Sequence, residues 1–192
     1  MSTKGWNKST IAVIHGEGIQ ESGCRASLAL VPNQPSVPQQ LVIPGLPLRK
    51  KEVVSVGFDS IDFPAFVQVL RAGAIRRVID IRVSPSFLGR GFSSATVNMV
   101  LRDLQVEYEH FPVLANRFIG KSWNSHVVMQ MYMDHLKAHR DALQQLYAKI
   151  ADGPVLLLGR TPHHEQSTRA AIVNELTTLK NDISLCIIDP QT

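Results

Sequence analysis

The chain has 192 residues, 44% of them hydrophobic and 19% charged, and a formal net charge of +4. That composition suits a globular domain with a full core and excludes a highly charged, low-complexity chain. The mild positive charge favours anionic ligands, but the only tight basic run is Arg49-Lys50-Lys51, short of the dense patch of a dedicated nucleic-acid binder. No apolar run approaches the ~18 residues that span a bilayer. The opening Met1-Ser2-Thr3-Lys4-Gly5-Trp6 lacks the apolar core of a signal peptide. No membrane partner and a cytoplasmic location are expected. Cys24 and Cys186 do not make a disulfide framework and are expected as two unpaired thiols.

Residues 1–50 carry Pro32, Pro35, Pro38, Pro44 and Pro47 together with Gln20, Gln34, Gln39 and Gln40. They read as a loosely ordered N-terminal extension in which only Ile11-Ala12-Val13-Ile14 looks strand-like. The main domain is expected over 51–192. Residues 53–57 form a buried strand. A helix over 63–72 follows, with Phe63, Phe66, Val67 and Leu70 at helical spacing, Asp62 as N-cap and Gly73 as C-cap. The second strand, 77–83, carries Asp80 inside it. Pro85, Gly89 and Gly91 mark a loop before a helix over 94–104, and 106–111 is the third strand. A loop over 116–124 leads to one long helix, 125–150, whose buried stripe is Val128, Met131, Tyr132, His135, Leu136, Leu143, Leu146 and Ile150. Gly153-Pro154 stops it. A strand over 154–158, a helix over 166–179 and a strand over 183–188 complete the chain. Strand alternating with helix predicts an α/β fold: a three-layer, Rossmann-like, mostly parallel sheet of about five strands with helices on both faces.

Three strand ends run abruptly into small, polar and charged residues: Gly57-Phe58-Asp59-Ser60, Asp80-Ile81-Arg82-Val83-Ser84-Pro85 and Gly159-Arg160-Thr161-Pro162-His163-His164. Ligands of parallel α/β proteins bind at the carboxyl ends of strands, so these junctions predict the site. Arg169 falls in the first turn of the last helix, where free N–H groups and the helix dipole already suit an anion; Ser167 is the capping candidate. Asp80 and Arg82, two apart on one strand, share a face. Asp80 is expected to pair with Arg82 or Arg169, or to accept a ligand hydroxyl; a structural ion pair is an equal reading. His110, ending the third strand, is the proton-transfer candidate, and Asp80 is the other catalytic candidate. His163 lies in the loop before Arg169. His135 and His139 have i,i+4 spacing with His126 upstream, but no Glu completes an HExxH motif and no metal is expected. Ser84 and Ser86 have no base beside them in sequence. With neither GxGxxG nor GxxxxGK[ST] present, no cofactor is expected.

The residues Val53-Val54-Ser55-Val56-Gly57-Phe58, then Gly73-Ala74-Ile75 with Val78-Ile79-Asp80-Ile81-Arg82 and Pro85, then Tyr108-Glu109-His110-Phe111-Pro112-Val113-Leu114 resemble the DUF488 family in content and order. Leu156-Leu157-Leu158 and Pro162…Arg169-Ala170-Ala171-Ile172 resemble its closing unit, and the likeness extends over about residues 53–180. The resemblance implies the fold and the site position. It also identifies departures. The family's Cys-His-Arg corresponds to Ser167-Thr168-Arg169, its cysteine after the fourth strand to Gly159, and its double glycine to Ala115-Asn116. Thiol chemistry is therefore not expected.

The leading expectation is a pocket for a small anionic ligand, a nucleotide or phosphorylated small molecule, lined by Gly57, Phe58, Asp59, Asp80, Arg82, His110, Arg160, His163, Ser167 and Arg169. A hydrolase or transferase is the reaction class it suggests. The alternative is a non-catalytic nucleic-acid- or protein-binding module, with Arg90, Arg102, Arg117 and Lys121 interleaved with Phe92, Phe118 and Trp123. A degenerate family member with a scaffold role is the third reading.

Overall fold

The computed structural model describes residues 10–14, 51–118 and 126–189. Six strands form one sheet: β1 Thr10–Ile14, β2 Lys51–Gly57, β3 Arg77–Asp80, β4 Glu107–His110, β5 Val155–Gly159 and β6 Ile183–Asp189, in the order β1-β6-β2-β5-β3-β4. The five from β6 to β4 are parallel, and β1 adds antiparallel to the edge at β6. The strand-like Ile11–Ile14 segment is thus a sheet edge. Five helices join the strands: α1 Phe63–Ala72, α2 Ser94–Asp103, α3 His126–Ala138, α4 Arg140–Ala151 and α5 Thr168–Leu179.

The inner strands are apolar on both faces because both are covered. Val54, Leu156 and Val78 stand in register across β2, β5 and β3 and pack under Phe66 and Leu70 of α1 and Val97 and Leu101 of α2. Val53, Leu157 and Ile79 pack on the opposite face with Tyr132 and Leu136 of α3, Leu143, Leu146 and Ile150 of α4, and Ile172 and Leu176 of α5. The result is the three-layer α/β arrangement that the sequence predicts. Among the described residues no helix is long and apolar enough to cross a membrane.

Asp62 caps α1, its Oδ1 accepting from the N–H of Ala65 at 2.9 Å. Gly73 is the C-cap, but its φ of −80° is right-handed; Ala74, with φ 44°, makes the left-handed turn that follows. The expected helix over 125–150 is two helices. His139 breaks it with φ −116° and ψ 43°. Its Nδ1 donates to the carbonyl of His135 at 2.8 Å, so a side chain takes an acceptor of the helix, and the two imidazoles lie 4.2 Å apart. His135 is turned away from metal binding as well, its Nε2 donating to Val113 O at 2.7 Å. Met131, expected on the buried stripe, is exposed.

The amino-terminal edges of β2 and β6 are tied by a polar cluster. Tyr147 Oη donates to both carboxylate oxygens of Asp182 at 2.7 and 2.8 Å, and Lys51 Nζ lies 2.9 Å from Asp182 Oδ2. The tyrosine hydroxyl, then the lysine, hold the Asp182 carboxyl below the usual carboxylate range. A depressed carboxyl stabilises the fold above its unfolded pKa, about 4, and loses that contribution as pH falls through the folded value. Asp182→Asn is expected to be less stable than the native chain at neutral pH by under about 1 kcal/mol, since the pair remains partly in water. The gap should narrow as pH falls from neutral into acid, through the depressed folded value of the carboxyl. Urea unfolding at neutral and acid pH measures it; a gap that persists in acid would exclude the carboxylate as its source.

Candidate functional site

β2 and β3 lead into α1 and α2 on one face of the sheet, whereas β5, lying between them, leads into α5 on the other. Chains that diverge from neighbouring carboxyl ends open a crevice, the usual ligand position in parallel α/β sheets. The predicted residues gather around these strand ends.

β3 ends in a buried ion pair. Asp80 is fully buried and Arg82 is 6% exposed. Asp80 Oδ1 accepts from the Arg82 backbone N–H at 3.0 Å and from its Nε at 2.9 Å. Oδ2 accepts from Arg82 Nη2 at 2.6 Å and from Tyr108 Oη at 2.8 Å. This return of Arg82 onto Asp80 is why the strand stops at Asp80 rather than at the expected residue 83. Arg82 Nη1 donates to Ser86 O at 2.8 Å, and the guanidinium lies against two rings that meet edge to face, 4.2 Å from the Phe58 centroid and 4.7 Å from that of Phe87. Burial, then the Asp80 carboxylate, raises the Tyr108 hydroxyl well above the ordinary phenol range, so it stays protonated and donates. Of the alternatives open to Asp80, the geometry is pairing with Arg82.

His110 ends β4, and its Nε2 donates to the Arg82 carbonyl at 2.7 Å. A carbonyl only accepts, so in the neutral ring Nδ1 carries the lone pair.

The loop from β5 to α5 crosses the end of β2. A Cβ on Gly57 would lie 2.3 Å from Thr161 O and 2.7 Å from Pro162 O. The backbone of Asp59 donates to Arg160 O at 3.1 Å, while the two side chains meet only at 3.4 Å and are exposed. His163 is half-buried, but His164, its neighbour, points inward and shares a 2.7 Å hydrogen bond through Nδ1 with Ser55 Oγ in mid-β2. Ser167 caps α5, its Oγ accepting from Ala170 N at 3.4 Å and donating to His164 O at 2.6 Å. Arg169 is fully buried, its Nη2 donating to Pro162 O at 3.3 Å. Its stem runs over Gly159, where a Cβ would meet Arg169 Cγ and Cδ at 3.0 Å. A side chain at 159 would displace that stem.

Tyr108, Phe87, Ser55 and His164 belong to this architecture; sequence reasoning named Tyr108, Ser55 and His164 only within longer stretches and did not single out Phe87. A serine between Val54 and Val56 in an otherwise apolar buried strand was the available signal for Ser55. Phe92 is buried in the ring cluster with Phe58, Phe63, Phe66 and Phe87, out of reach of a stacking base. Lys121, Trp123 and Cys24 lie outside the described residues. No group of three or more ligating side chains suited to a metal occurs among the described residues.

A parallel three-layer domain with arginines and glycines at its strand ends defines the class. The sequence model described as "Domain of unknown function DUF488" matches residues 62–176, well over half of the chain, and the protein belongs to that family. No curated protein and no solved structure matches it.

Proposed function

We propose that the crevice at the carboxyl ends of β2, β5 and β3 binds a phosphorylated small molecule of nucleotide type, and that the protein is a hydrolase or transferase of that ligand. The supporting observation is Arg169: a fully buried guanidinium in the first turn of α5, beside the carboxyl end of β5. Guanidinium and helix amino terminus both favour an anion at that spot. In this reading Ser167 fixes the helix start, Arg160 and His163 flank the ligand, and Gly57 with Phe58 and Asp59 forms the β2 side. Asp80 orients Arg82. His110 moves the proton through Nδ1.

Melting of native protein and Arg169→Lys, with inorganic phosphate, AMP, NAD, ADP-ribose or a short oligonucleotide at two salt concentrations, tests it. Ligand binding raises the melting temperature by mass action. At least one small phosphorylated compound should do so, with roughly tenfold weaker binding in Arg169→Lys, because lysine cannot reproduce the guanidinium's hold on the Pro162 carbonyl in the loop over the site. Silence of every small phosphate would sink the reading. A shift with the oligonucleotide alone, fading with salt, would establish the nucleic-acid module instead.

A further inference from the structure

The strand ends carry two Asp–Arg pairs of opposite character. In Asp80–Arg82 both side chains are buried, and both carboxylate oxygens are already engaged. In Asp59–Arg160 a single 3.4 Å contact joins side chains that are 44% and 82% exposed. The backbone bond between Asp59 N and Arg160 O, at 3.1 Å, nevertheless keeps the two residues adjacent just beyond the carboxyl ends of β2 and β5. A loose, solvated pair gains little free energy from its own contact and is easily exchanged for ligand. Asp59 retains acceptor capacity for hydroxyls and Arg160 retains most of its five donors.

We infer that Asp59 and Arg160 are the specificity-determining pair of the site, Asp59 accepting from vicinal hydroxyls and Arg160 donating to a phosphate, so that the ligand is a sugar phosphate or a ribonucleoside monophosphate. This rests on the phosphorylated-ligand reading above and adds the hydroxyl requirement. The reach decides the class. With carboxylate and guanidinium 3.4 Å apart, the phosphate and the hydroxyls must lie within a few bonds of one another. Inorganic phosphate would engage Arg160 alone and would meet the repulsion of Asp59.

Calorimetric titration of the full chain, Asp59→Asn and Arg160→Gln with inorganic phosphate, ribose 5-phosphate, AMP and 2′-deoxy-AMP tests this. Both substitutions are on exposed side chains and should leave unliganded melting unchanged. The native chain should prefer AMP to 2′-deoxy-AMP by about tenfold, the scale of a charge-assisted hydrogen bond. Asp59→Asn should abolish that preference and at the same time bind inorganic phosphate more tightly. Arg160→Gln should weaken every phosphate ligand about tenfold. Ribose 5-phosphate as tight as AMP would assign a sugar phosphate, and a weaker one a nucleotide; either supports the inference. If the native chain binds phosphates and both variants match it, or Asp59→Asn keeps the ribose preference, the inference is overturned while the proposed function stands. If the native chain binds none of the four, both fall.

Discussion

Asp80→Ala is expected to destabilise the protein by about 3–5 kcal/mol, because it strands a buried cation. Asp80 accepts from Arg82 and Tyr108 through both carboxylate oxygens, at 0% exposure. Without it the Arg82 guanidinium would remain against the Phe58 and Phe87 rings with only the Ser86 carbonyl as an acceptor among these contacts. A loss of that size lowers the melting temperature of a chain this long by on the order of 10 °C. It should also release the 83–92 segment, which Arg82 Nη1 holds through Ser86 O, and amide exchange there should accelerate. The double variant Asp80→Leu/Arg82→Met separates the two contributions. Replacing a whole buried pair by apolar groups of similar volume is often nearly neutral. The double variant should therefore be more stable than Asp80→Ala alone, with a clear coupling energy between the sites. Additive losses in urea unfolding would mean that the pair is not the source of the effect.

What was legible in the sequence was whatever depends on short-range pattern. α1 was readable end to end because Asp62, Gly73 and the Phe66–Leu70 spacing act within a few residues. The buried strands were readable because β2, β3 and β5 are covered on both faces and their apolar runs are interrupted only at Ser55 in β2 and Asp80 in β3. The break at His139 was not, because it arises from a side chain competing for a helix carbonyl while His135 is drawn to Val113. In the site, the i,i+2 spacing made Arg82 one of the partners open to Asp80, and the geometry selects it over Arg169. Tyr108 joins them only once β4 is placed beside β3, with Tyr108 opposite Val78 and His110 opposite Asp80. The Ser55–His164 bond joins positions 109 residues apart, and no local pattern announces it. Reading the chain thus named the charged residues that gather at the carboxyl ends of the strands. It could not distinguish the arginine locked to Asp80 from the one left in solvent at position 160.

Gly57→Ala is the second large effect, and its cause is space rather than backbone freedom. Gly57 has φ −88° and ψ 123°, extended geometry open to any residue. Yet an added Cβ would sit 2.3 Å from Thr161 O, 2.7 Å from Pro162 O and 2.8 Å from Pro162 Cα. All three are backbone atoms, so no side-chain rotation relieves the clash, and the β5–α5 loop has to lift. Gly159 differs, because its would-be Cβ meets the flexible stem of Arg169 at 3.0 Å. Overpacking with no side-chain escape falls at the upper end of its usual range, about 3 kcal/mol. The displaced segment runs between Arg160 and the His164–Ser55 anchor and carries the carbonyl that receives Arg169. Gly57→Ala should therefore weaken phosphate-ligand binding more than its stability loss requires, with faster amide exchange over residues 160–167 than over the strands. A variant that unfolds at the native denaturant midpoint and keeps this loop protected would show that the loop can yield without cost. The close approach would then be a consequence of the fold, with no part in holding the site.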